Sequence, residues 1–311
     1  MALSVGRPTI IDTDPGIDDA LAILLALASP ELEVRGISTV AGNIGIETTT
    51  RNAGRLLALA HRPEIPVLRG AAGPLARQPV TPLDIHGADG IGGVPLPEPV
   101  CAPGALPAVE WMASVLMAEP PHTVDILALG PLTNLAALVQ AHPEAARRIG
   151  RVIAMGGAID ATGNSGPRSE FNMAADPEAA AIILQEKLRL VLVPLDVTRQ
   201  VRATRAFVAK LASSGNAPAT AAAALIDAYF ASTSGQDSRP LHDPCVVLFA
   251  LRPELFGTDL MHLKVQVGSG LDEGTLIVDD VAGGSAEVVL RVHAEHALSF
   301  LRDRLASPAL P

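Results

Sequence analysis

Short apolar segments alternate with longer amphipathic segments along most of the chain. Segments of four to seven residues that are nearly all apolar predict strands covered on both faces, as in a parallel sheet. They are Thr9–Asp12, Val34–Val40, Val124–Leu129, Arg151–Met155 and Leu188–Pro194. Helical patterns lie between them, at Asp18–Ala28, Ile46–Ala60, Ala105–Ala118, Leu132–Ala141 and Pro177–Gln185. This alternation predicts an α/β fold with an open, mostly parallel sheet and helices on both faces.

The remaining segments complete one domain. Gly70–Ala105 is rich in Gly and Pro and has no periodicity, which favours a functional flap. Ala203–Ala231 is Ala-rich and predicts helix. Further strands and a last helix are predicted at His262–Gln266, Thr275–Asp279, Glu287–Val292 and Ala294–Leu305. Since no linker interrupts this pattern, we expect a single domain over residues 1–311.

Composition excludes several classes of protein. The 311 residues carry 23 Lys and Arg against 33 Asp and Glu, and a net charge of −10 argues against a nucleic-acid partner. No apolar run approaches the roughly 18 residues of a membrane span. Cys101 and Cys245 are too few for a disulfide framework. With no signal peptide in view, we expect a cytoplasmic protein.

Polar side chains collect where the predicted strands end. The first strand runs into Asp12-Thr13-Asp14-Pro15-Gly16-Ile17-Asp18-Asp19, and the second into Ala41-Gly42-Asn43. Later strands lead into Leu129-Gly130-Pro131-Leu132-Thr133-Asn134 and, through Met155-Gly156-Gly157, to Asn164, Glu170 and Asn172. Ligands of open α/β sheets bind outside the carboxyl ends of the strands. The sequence therefore predicts that these groups converge on one rim of the sheet.

Four carboxylates lie within eight residues at Asp12, Asp14, Asp18 and Asp19. They would repel one another when desolvated, and an all-oxygen cluster suits a hard cation such as Ca²⁺ or Mg²⁺. The alternative is that Asp18 and Asp19 only favour the positive end of the following helix. An EF-hand is excluded, because Gly and Glu are missing at the two positions that require them.

Two other functions stay open at this point. An aspartyl-phosphate phosphatase of the haloacid dehalogenase type also has Asp-x-Asp after its first strand, although here Pro15-Gly16 and the pair Asp18-Asp19 follow. A non-catalytic protein that binds Ca²⁺ is the other alternative. The complete set of acidic and amide residues argues against this last alternative.

The segment Asp12–Asp19 resembles the signature of the nucleoside hydrolase family, the calcium-dependent inosine–uridine type. Further motifs of that family occur in order, at Ala41-Gly42-Asn43, His86-Gly87-Ala88-Asp89-Gly90, Gly130–Asn134, Met155–Gly157, Glu170-Phe171-Asn172, Asp176–Ala179 and His242-Asp243-Pro244. The resemblance implies a Rossmann-like nucleoside hydrolase fold. It also implies an enzyme that hydrolyses ribonucleosides to free base and ribose in purine and pyrimidine salvage, with a non-catalytic nucleoside-binding protein as the alternative.

The resemblance also implies roles for single residues. Asp14, Asp19 and Asp243, with the carbonyl of Leu129, would bind Ca²⁺, and Asp14 would take a proton from a metal-bound water. The predicted ribose-binding residues are Asp18, Asn43, Met155, Asn164, Glu170 and Asn172. These residue types suit the chemistry, because carboxylates stabilise an oxocarbenium-like sugar and a divalent cation lowers the pKa of its bound water.

His242 would assist the leaving base, and His86 and Tyr229 would lie near it. A histidine that titrates near the working pH suits this role. The alternatives are a loop histidine at His86, a helix-start residue at His242, and for Asn134 a residue that only ties loops.

The family implies a small ribonucleoside as partner and a homodimer or homotetramer. Trp111 is the single tryptophan, so no tryptophan sandwich around a purine is expected, and inosine, uridine and cytidine all remain possible.

Overall fold

The computed structural model describes residues 6–79, 85–232, 236–279 and 286–307. Residues 80–84 of the predicted flap and both ends of the predicted 1–311 domain lie outside the described residues. The described part of Gly70–Ala105 contains neither helix nor strand, as predicted. Cys101 and Cys245 are free. No helix in the described ranges has the length and apolar character needed to span a membrane.

Strands and helices alternate through the chain. The strands are β1 Arg7–Thr13, β2 Leu32–Thr39, β3 Val67–Arg69, β4 Asp125–Ala128, β5 Val152–Met155, β6 Leu190–Val193, β7 Arg202–Thr204, β8 Ser238–Pro240, β9 Phe256–Val265, β10 Leu276–Asp279 and β11 Ala286–Val292. The helices are α1 Ile17–Leu27, α2 Ile46–Leu59, α3 Ala108–Ala118, α4 Thr133–Ala141, α5 Pro143–Ala146, α6 Phe171–Ala175, α7 Pro177–Gln185, α8 Leu195–Thr198, α9 Arg205–Ala212, α10 Ala217–Ala231, α11 Pro244–Leu251 and α12 Ala294–Ala306. A short 3₁₀ turn follows α11 at Pro253–Leu255.

Nine of these strands form one sheet in the order β10-β9-β11-β6-β5-β4-β1-β2-β3. The pairs from β3 across to β11 are parallel, and β9 pairs antiparallel with both β11 and β10. Strands β7 and β8 form a separate antiparallel pair. The prediction of an α/β fold with a mostly parallel sheet is confirmed.

The sheet is covered on both faces, which explains why its central strands are so apolar. Neighbouring residues on one strand point to opposite sides: Ile10 packs in one apolar cluster and Ile11 in the other. Val152 and Ile153 divide between the clusters in the same way. Continuous apolar strands therefore serve two cores at once.

Several element boundaries differ from the predictions for local reasons. The edge strand β3 was missed, because it has three residues and is bounded by Pro66 and an irregular loop. The Ala-rich segment forms two helices rather than one, divided at Gly215, whose φ is +79°. The predicted start of α7 is confirmed: Asp176 caps it by accepting the N–H of Ala179 at 3.0 Å, and Pro177 is its first residue.

The parallel register brings the strand ends together. β1 lies between β2 and β4, with Asp12 opposite Ser38 on one side and Ala128 on the other. β5 follows beside β4. The loops that leave the carboxyl ends of these strands therefore meet at one rim, where the polar motifs were predicted to converge.

Replacing Ile153 tests the central packing. Its side chain is fully buried on β5, so Ile153→Ala should lower the free energy of unfolding by about 2–5 kcal/mol. Urea denaturation measures this. The matched control is Ile277→Ala, because Ile277 is 44% exposed on the edge strand β10 and should change stability by less than about 1 kcal/mol. Similar losses at both positions would contradict a core centred on β5.

Candidate active site

The turn between β1 and α1 is built by its own carboxylates. Asp19 accepts the hydroxyl of Thr13 at 2.6 Å and the backbone N–H of Gly16 at 3.0 Å. Gly16 is the N-cap of α1, and Asp19 completes the capping box from the third helical position. Asp19 therefore does favour the start of α1, as the alternative for Asp18 and Asp19 predicts. This role does not account for the other carboxylates beside it.

Asn43, from the loop after β2, joins this turn from the side. Its backbone N–H donates to Asp14 Oδ2 at 2.6 Å. Its side-chain amide donates to Asp19 Oδ2 at 3.0 Å and to the carbonyl of Asp14 at 3.3 Å. The predicted ribose residue Asn43 thus also fixes the positions of two predicted metal ligands.

Asp243, at the start of α11, brings a distant carboxylate to the same place. One oxygen each from Asp18, Asp19 and Asp243 lie within 4.8 Å of one another. The backbone N–H groups of His242 and Asp243 bond to Asp18 and tie it to α11. Asp14 lies against Asp19 on the other side, and all four carboxylates are buried. The family resemblance predicts Asp14, rather than Asp18, as a metal ligand beside Asp19 and Asp243. This assignment stays a prediction.

Burial and mutual repulsion dominate the electrostatics of this cluster. Desolvation, followed by the charge of Asp19, raises the pKa of Asp14 well above its usual range and that of Asp18 to about 7. Desolvation and the charges of Asp18, Asp19 and Asp14 raise the pKa of Asp243 as well. Asp14 Oδ1 is buried without a hydrogen-bond partner among the described residues. Such a group of hard oxygens suits a divalent cation, which would relieve the repulsion.

A cleft opens beside the carboxylates. It is lined by nearly all the predicted site residues: Asp18, Asn43, His86, Leu129, Met155, Asn164, Glu170, Asn172, Tyr229, His242 and Asp243. Asp14 and Asp19 lie beneath its floor and are fully buried. Residues separated by more than 200 positions in the chain are thus brought around one space.

One wall of the cleft is organised by Glu170. Its carboxylate caps α6 by accepting the N–H groups of Asn172 at 2.9 Å and Met173 at 3.2 Å, and it accepts that of Gly157 at 3.0 Å. Burial nevertheless raises the pKa of Glu170 to about 7. The Asn164 side chain accepts the N–H of Phe171 at 2.8 Å, which closes the loop before α6. These hydrogen bonds within the protein hold the wall in place.

Asn172 connects this wall to the floor. Its side-chain amide donates to the carbonyl of Leu129 at 2.7 Å and to that of Met155 at 3.2 Å. The Leu129 carbonyl was predicted as a metal ligand, and it has a second lone pair that this hydrogen bond leaves available. The contact fixes the direction in which that carbonyl points.

Three further predicted residues line the cleft. His86 Nδ1 accepts the N–H of Ile17 at 3.1 Å, so the flap is anchored on the first turn of α1. Tyr229 is nearly buried, with the guanidinium of Arg239 5.2 Å from its ring centroid. His242 Nδ1 lies 2.7 Å from the hydroxyl of Thr198. All three side chains border the cleft.

The titration of His242 differs from expectation. Enclosure by the protein, followed by the positive charges of Arg199 and Arg202, lowers the pKa of His242 to about 3. The ring is therefore neutral near pH 7, and the expectation of a histidine that titrates near the working pH is wrong. The reason is the surroundings of the ring, which the order of residues in the chain does not display.

Sequence reasoning missed several residues of the cleft. Ile85, Ser165 and Phe171 also line it. Phe171 stands between two predicted residues, and its place in the Glu-Phe-Asn motif was an available signal. Ile85 and Ser165 are ordinary loop residues with no such signal. Thr198 was missed because its partner His242 is 44 positions away.

Asp12 and Asn134 serve the scaffold. The Asn134 amide donates to Asp12 Oδ1 at 2.8 Å and to the carbonyl of Thr39 at 3.0 Å, while its oxygen accepts the N–H of Ala71 at 2.8 Å. Ser38 donates to the same Asp12 oxygen at 2.5 Å. Neither Asp12 nor Asn134 lines the cleft. The alternative that Asn134 ties loops is confirmed.

The sequence and the fold are similar to those of proteins described as nucleoside hydrolases. Residues 9–299 match the family described as inosine-uridine preferring nucleoside hydrolase. The pyrimidine-specific ribonucleoside hydrolase RihA of Klebsiella pneumoniae is 41% identical over 307 residues, which cover 96% of this chain and 98% of that protein. A plant nucleoside hydrolase, the PpNRh1 enzyme, has a TM-score of 0.90 at 33% identity, covering 97% of this chain and 99% of that chain. A purine-preferring ribonucleoside hydrolase from Gardnerella vaginalis also has a TM-score of 0.90, at 30% identity, covering 96% and 98%.

Removing the Asn134 amide tests the scaffold beneath the cleft. Asn134→Ala removes one hydrogen bond each from the Asp12 carboxylate and the Thr39 carbonyl and leaves the N–H of Ala71 without its partner, so the free energy of unfolding should fall by about 1–3 kcal/mol. Chemical denaturation followed by circular dichroism measures the change. Gln140→Ala, at the exposed end of the same helix, is the control and should stay within about 0.5 kcal/mol of the parent. An unchanged stability for Asn134→Ala would show that these loops hold together without it.

Proposed function

The chain belongs to the inosine-uridine preferring nucleoside hydrolase family, and from that premise we propose that it cleaves pyrimidine ribonucleosides with the help of Ca²⁺. It is a hydrolase that acts on N-glycosyl bonds. One observation carries the proposal: a buried carboxylate cluster and a set of amide and carboxylate side chains suited to sugar hydroxyls border the same cleft.

The preference for pyrimidines rests on two observations. The relatives named as pyrimidine-specific are about 41% identical over 96% of this chain, whereas the purine-preferring solved structure is 30% identical. Trp111, the single tryptophan, packs on β2 beside Gly36 and is not among the residues that line the cleft. The aromatic rings there are Tyr229 and Phe171. A purine stacked between tryptophans has no counterpart in this chain.

The residues present fit a divalent cation. Four buried carboxylates lie together, the pKa of three of them (Asp14, Asp18 and Asp243) is raised, and Asp14 Oδ1 lacks a partner in the described residues, so that a positive charge is needed nearby. We assign Asp14, Asp19 and Asp243, with the Leu129 carbonyl, to hold it, and Asp18 to the ribose. An all-oxygen set favours Ca²⁺, which accepts 6–8 oxygen ligands. When bound, this ion would supply a water of lowered pKa, oriented for attack on the sugar.

Asp14 is the group that takes the proton from the attacking water. Its unpartnered oxygen is free to accept, and its other oxygen is held by the N–H of Asn43. Asp18, Asn43, Asn164, Glu170 and Asn172 would hold the ribose hydroxyls and fix C1′ above Asp14. As the C1′–N bond breaks, positive charge develops on the sugar, and the surrounding carboxylates stabilise it.

The leaving base takes the electron pair of the broken bond. His242, His86 and Tyr229 also line the cleft, and we propose that the base lies among them. His242 would stabilise the negative charge on the departing base.

The phosphatase alternative is disfavoured by the hydrogen bonds of Asp12. That carboxylate would be the nucleophile, but its Oδ1 accepts hydrogen bonds from Ser38 and Asn134, which tie it to the scaffold. A single domain over residues 1–311, a cytoplasmic location and a homodimer or homotetramer stay predictions.

The activity is tested by ribose release from uridine, cytidine, inosine, adenosine and p-nitrophenyl riboside, with EDTA and after Ca²⁺ is restored. We expect EDTA to abolish turnover and Ca²⁺ to restore it, with kcat/KM for uridine about 10-fold or more above that for inosine. Deoxyuridine is the matched control: because it lacks the 2′-OH, its kcat/KM should be at least about 10²-fold lower than that of uridine. Cleavage of p-nitrophenyl phosphate without cleavage of any riboside would instead identify a phosphatase.

Asp14→Asn tests the proton acceptor with little change of shape. Loss of a general base should lower kcat by about 10²–10⁴-fold, and more if Ca²⁺ binding is also weakened. Initial rates with uridine at saturating Ca²⁺ give this value. Asp303→Asn, whose carboxylate is exposed on α12, is the control and should retain the parent rate. A kcat for Asp14→Asn within a few-fold of the parent would remove Asp14 from the mechanism.

A further inference from the structure

Thr198 lies directly behind His242. It is the last residue of the short helix α8 and is fully buried. Its hydroxyl oxygen is 2.7 Å from His242 Nδ1, while its backbone N–H donates to the carbonyl of Pro194. His242 itself is partly exposed and borders the cleft. Thr198 therefore contacts the far side of a ring whose near side faces the space for the substrate.

The direction of this hydrogen bond follows from burial. A hydroxyl carries one proton and is costly to bury without an acceptor. Within the described ranges, His242 Nδ1 is the single hydrogen-bond partner of the Thr198 hydroxyl. If the ring donated from Nδ1 instead, the hydroxyl proton would be left without an acceptor in a fully buried place. The hydroxyl therefore donates, and Nδ1 accepts with its lone pair.

An accepting Nδ1 decides which ring nitrogen of His242 carries the proton. In neutral imidazole one nitrogen carries hydrogen and the other accepts, so the proton lies on Nε2. No described residue forms a hydrogen bond with His242 Nε2. The ring thus has an unused N–H donor on a side chain that borders the cleft.

We propose that Thr198 is a positioning residue that holds His242 as the Nε2–H tautomer and directs this N–H at the leaving base as a neutral hydrogen-bond donor. The inference deepens the proposed function and rests on it. It also assigns a role to a residue that does not line the cleft.

Cleavage of the C1′–N bond does not require a histidine that gives up its proton. As the C1′–N bond breaks, its electron pair moves to the base, and the Nε2–H bond stabilises the negative charge, for example on the carbonyl oxygen of uracil. The histidine keeps its proton, and the base takes its own from solvent. The charge builds up only as the bond breaks, so the donor should act on kcat rather than on KM.

The first test reads the tautomer directly. The Ca²⁺-loaded protein is labelled with ¹⁵N-histidine, and long-range ¹H–¹⁵N correlation spectra separate the two tautomers. The ring signals of His242 are assigned by their loss in His242→Asn. We expect the Nε2–H form in the parent protein, whereas the Nδ1–H form would overturn the proposal. This result does not depend on any activity, so it stands even if no riboside is cleaved and the proposed function fails.

The second test compares three variants on two substrates. Thr198→Val keeps the shape of the side chain and removes its hydroxyl, and Thr198→Ser restores the hydroxyl. Thr9→Val is the matched control, because Thr9 is equally buried and bonds to the carbonyl of Arg7 at the other end of β1. Each variant is assayed on uridine and on p-nitrophenyl riboside, whose leaving group needs no stabilising donor.

For Thr198→Val we expect the ratio of kcat on uridine to kcat on p-nitrophenyl riboside to fall about 10-fold, with KM changed less than about 3-fold. Thr198→Ser should recover most of this ratio, and Thr9→Val should leave it at the parent value. Equal losses on both substrates, or a ratio within 2-fold of the parent, would show that Thr198 only supports the structure. Should Thr198→Val fail to fold, the tautomer of the parent protein still decides the proposal.

Discussion

The structure depends on burying several negative charges where the central strands end. Asp14, Asp18, Asp19 and Asp243 are withdrawn from water and repel one another, so that the pKa of three of them is raised. Backbone N–H groups and the Asn43 amide compensate part of this cost. A divalent cation would compensate the rest, which links metal binding to the stability of the folded site.

The same side chains build the loops and line the cleft. Asp19 caps α1, Glu170 caps α6, and Asn172 orients the Leu129 carbonyl. Each side chain is held by hydrogen bonds within the protein, so its rotamer is set before substrate arrives, which lowers the entropic cost of binding. Mutations at these positions should therefore affect both stability and catalysis, whereas Asn134 and Asp12 act on the scaffold alone.

The cleft combines two kinds of chemistry. Acidic and amide side chains, which we propose hold the sugar, line it together with the rings of His86, Tyr229 and His242, which we propose face the base. The enclosure of the His242 ring and the charges of Arg199 and Arg202 lower its pKa, and we propose that Thr198 determines which ring nitrogen donates. A neutral donor held in place suits a step in which negative charge appears only in the transition state.

The sequence by itself determined the α/β class, the central strands and helices, and the convergence of Asp14, Asn43, Glu170 and Asn172 on one rim. These follow from local periodicity and from the rule that parallel strands end at the same edge of the sheet. Only the tertiary structure decided the edge strand β3, the proximity of Asp18 to Asp243, the neutral state of His242 and its contact with Thr198. Each of these depends on burial or on contacts between segments far apart in the chain, and neither leaves a periodic signal in the order of residues.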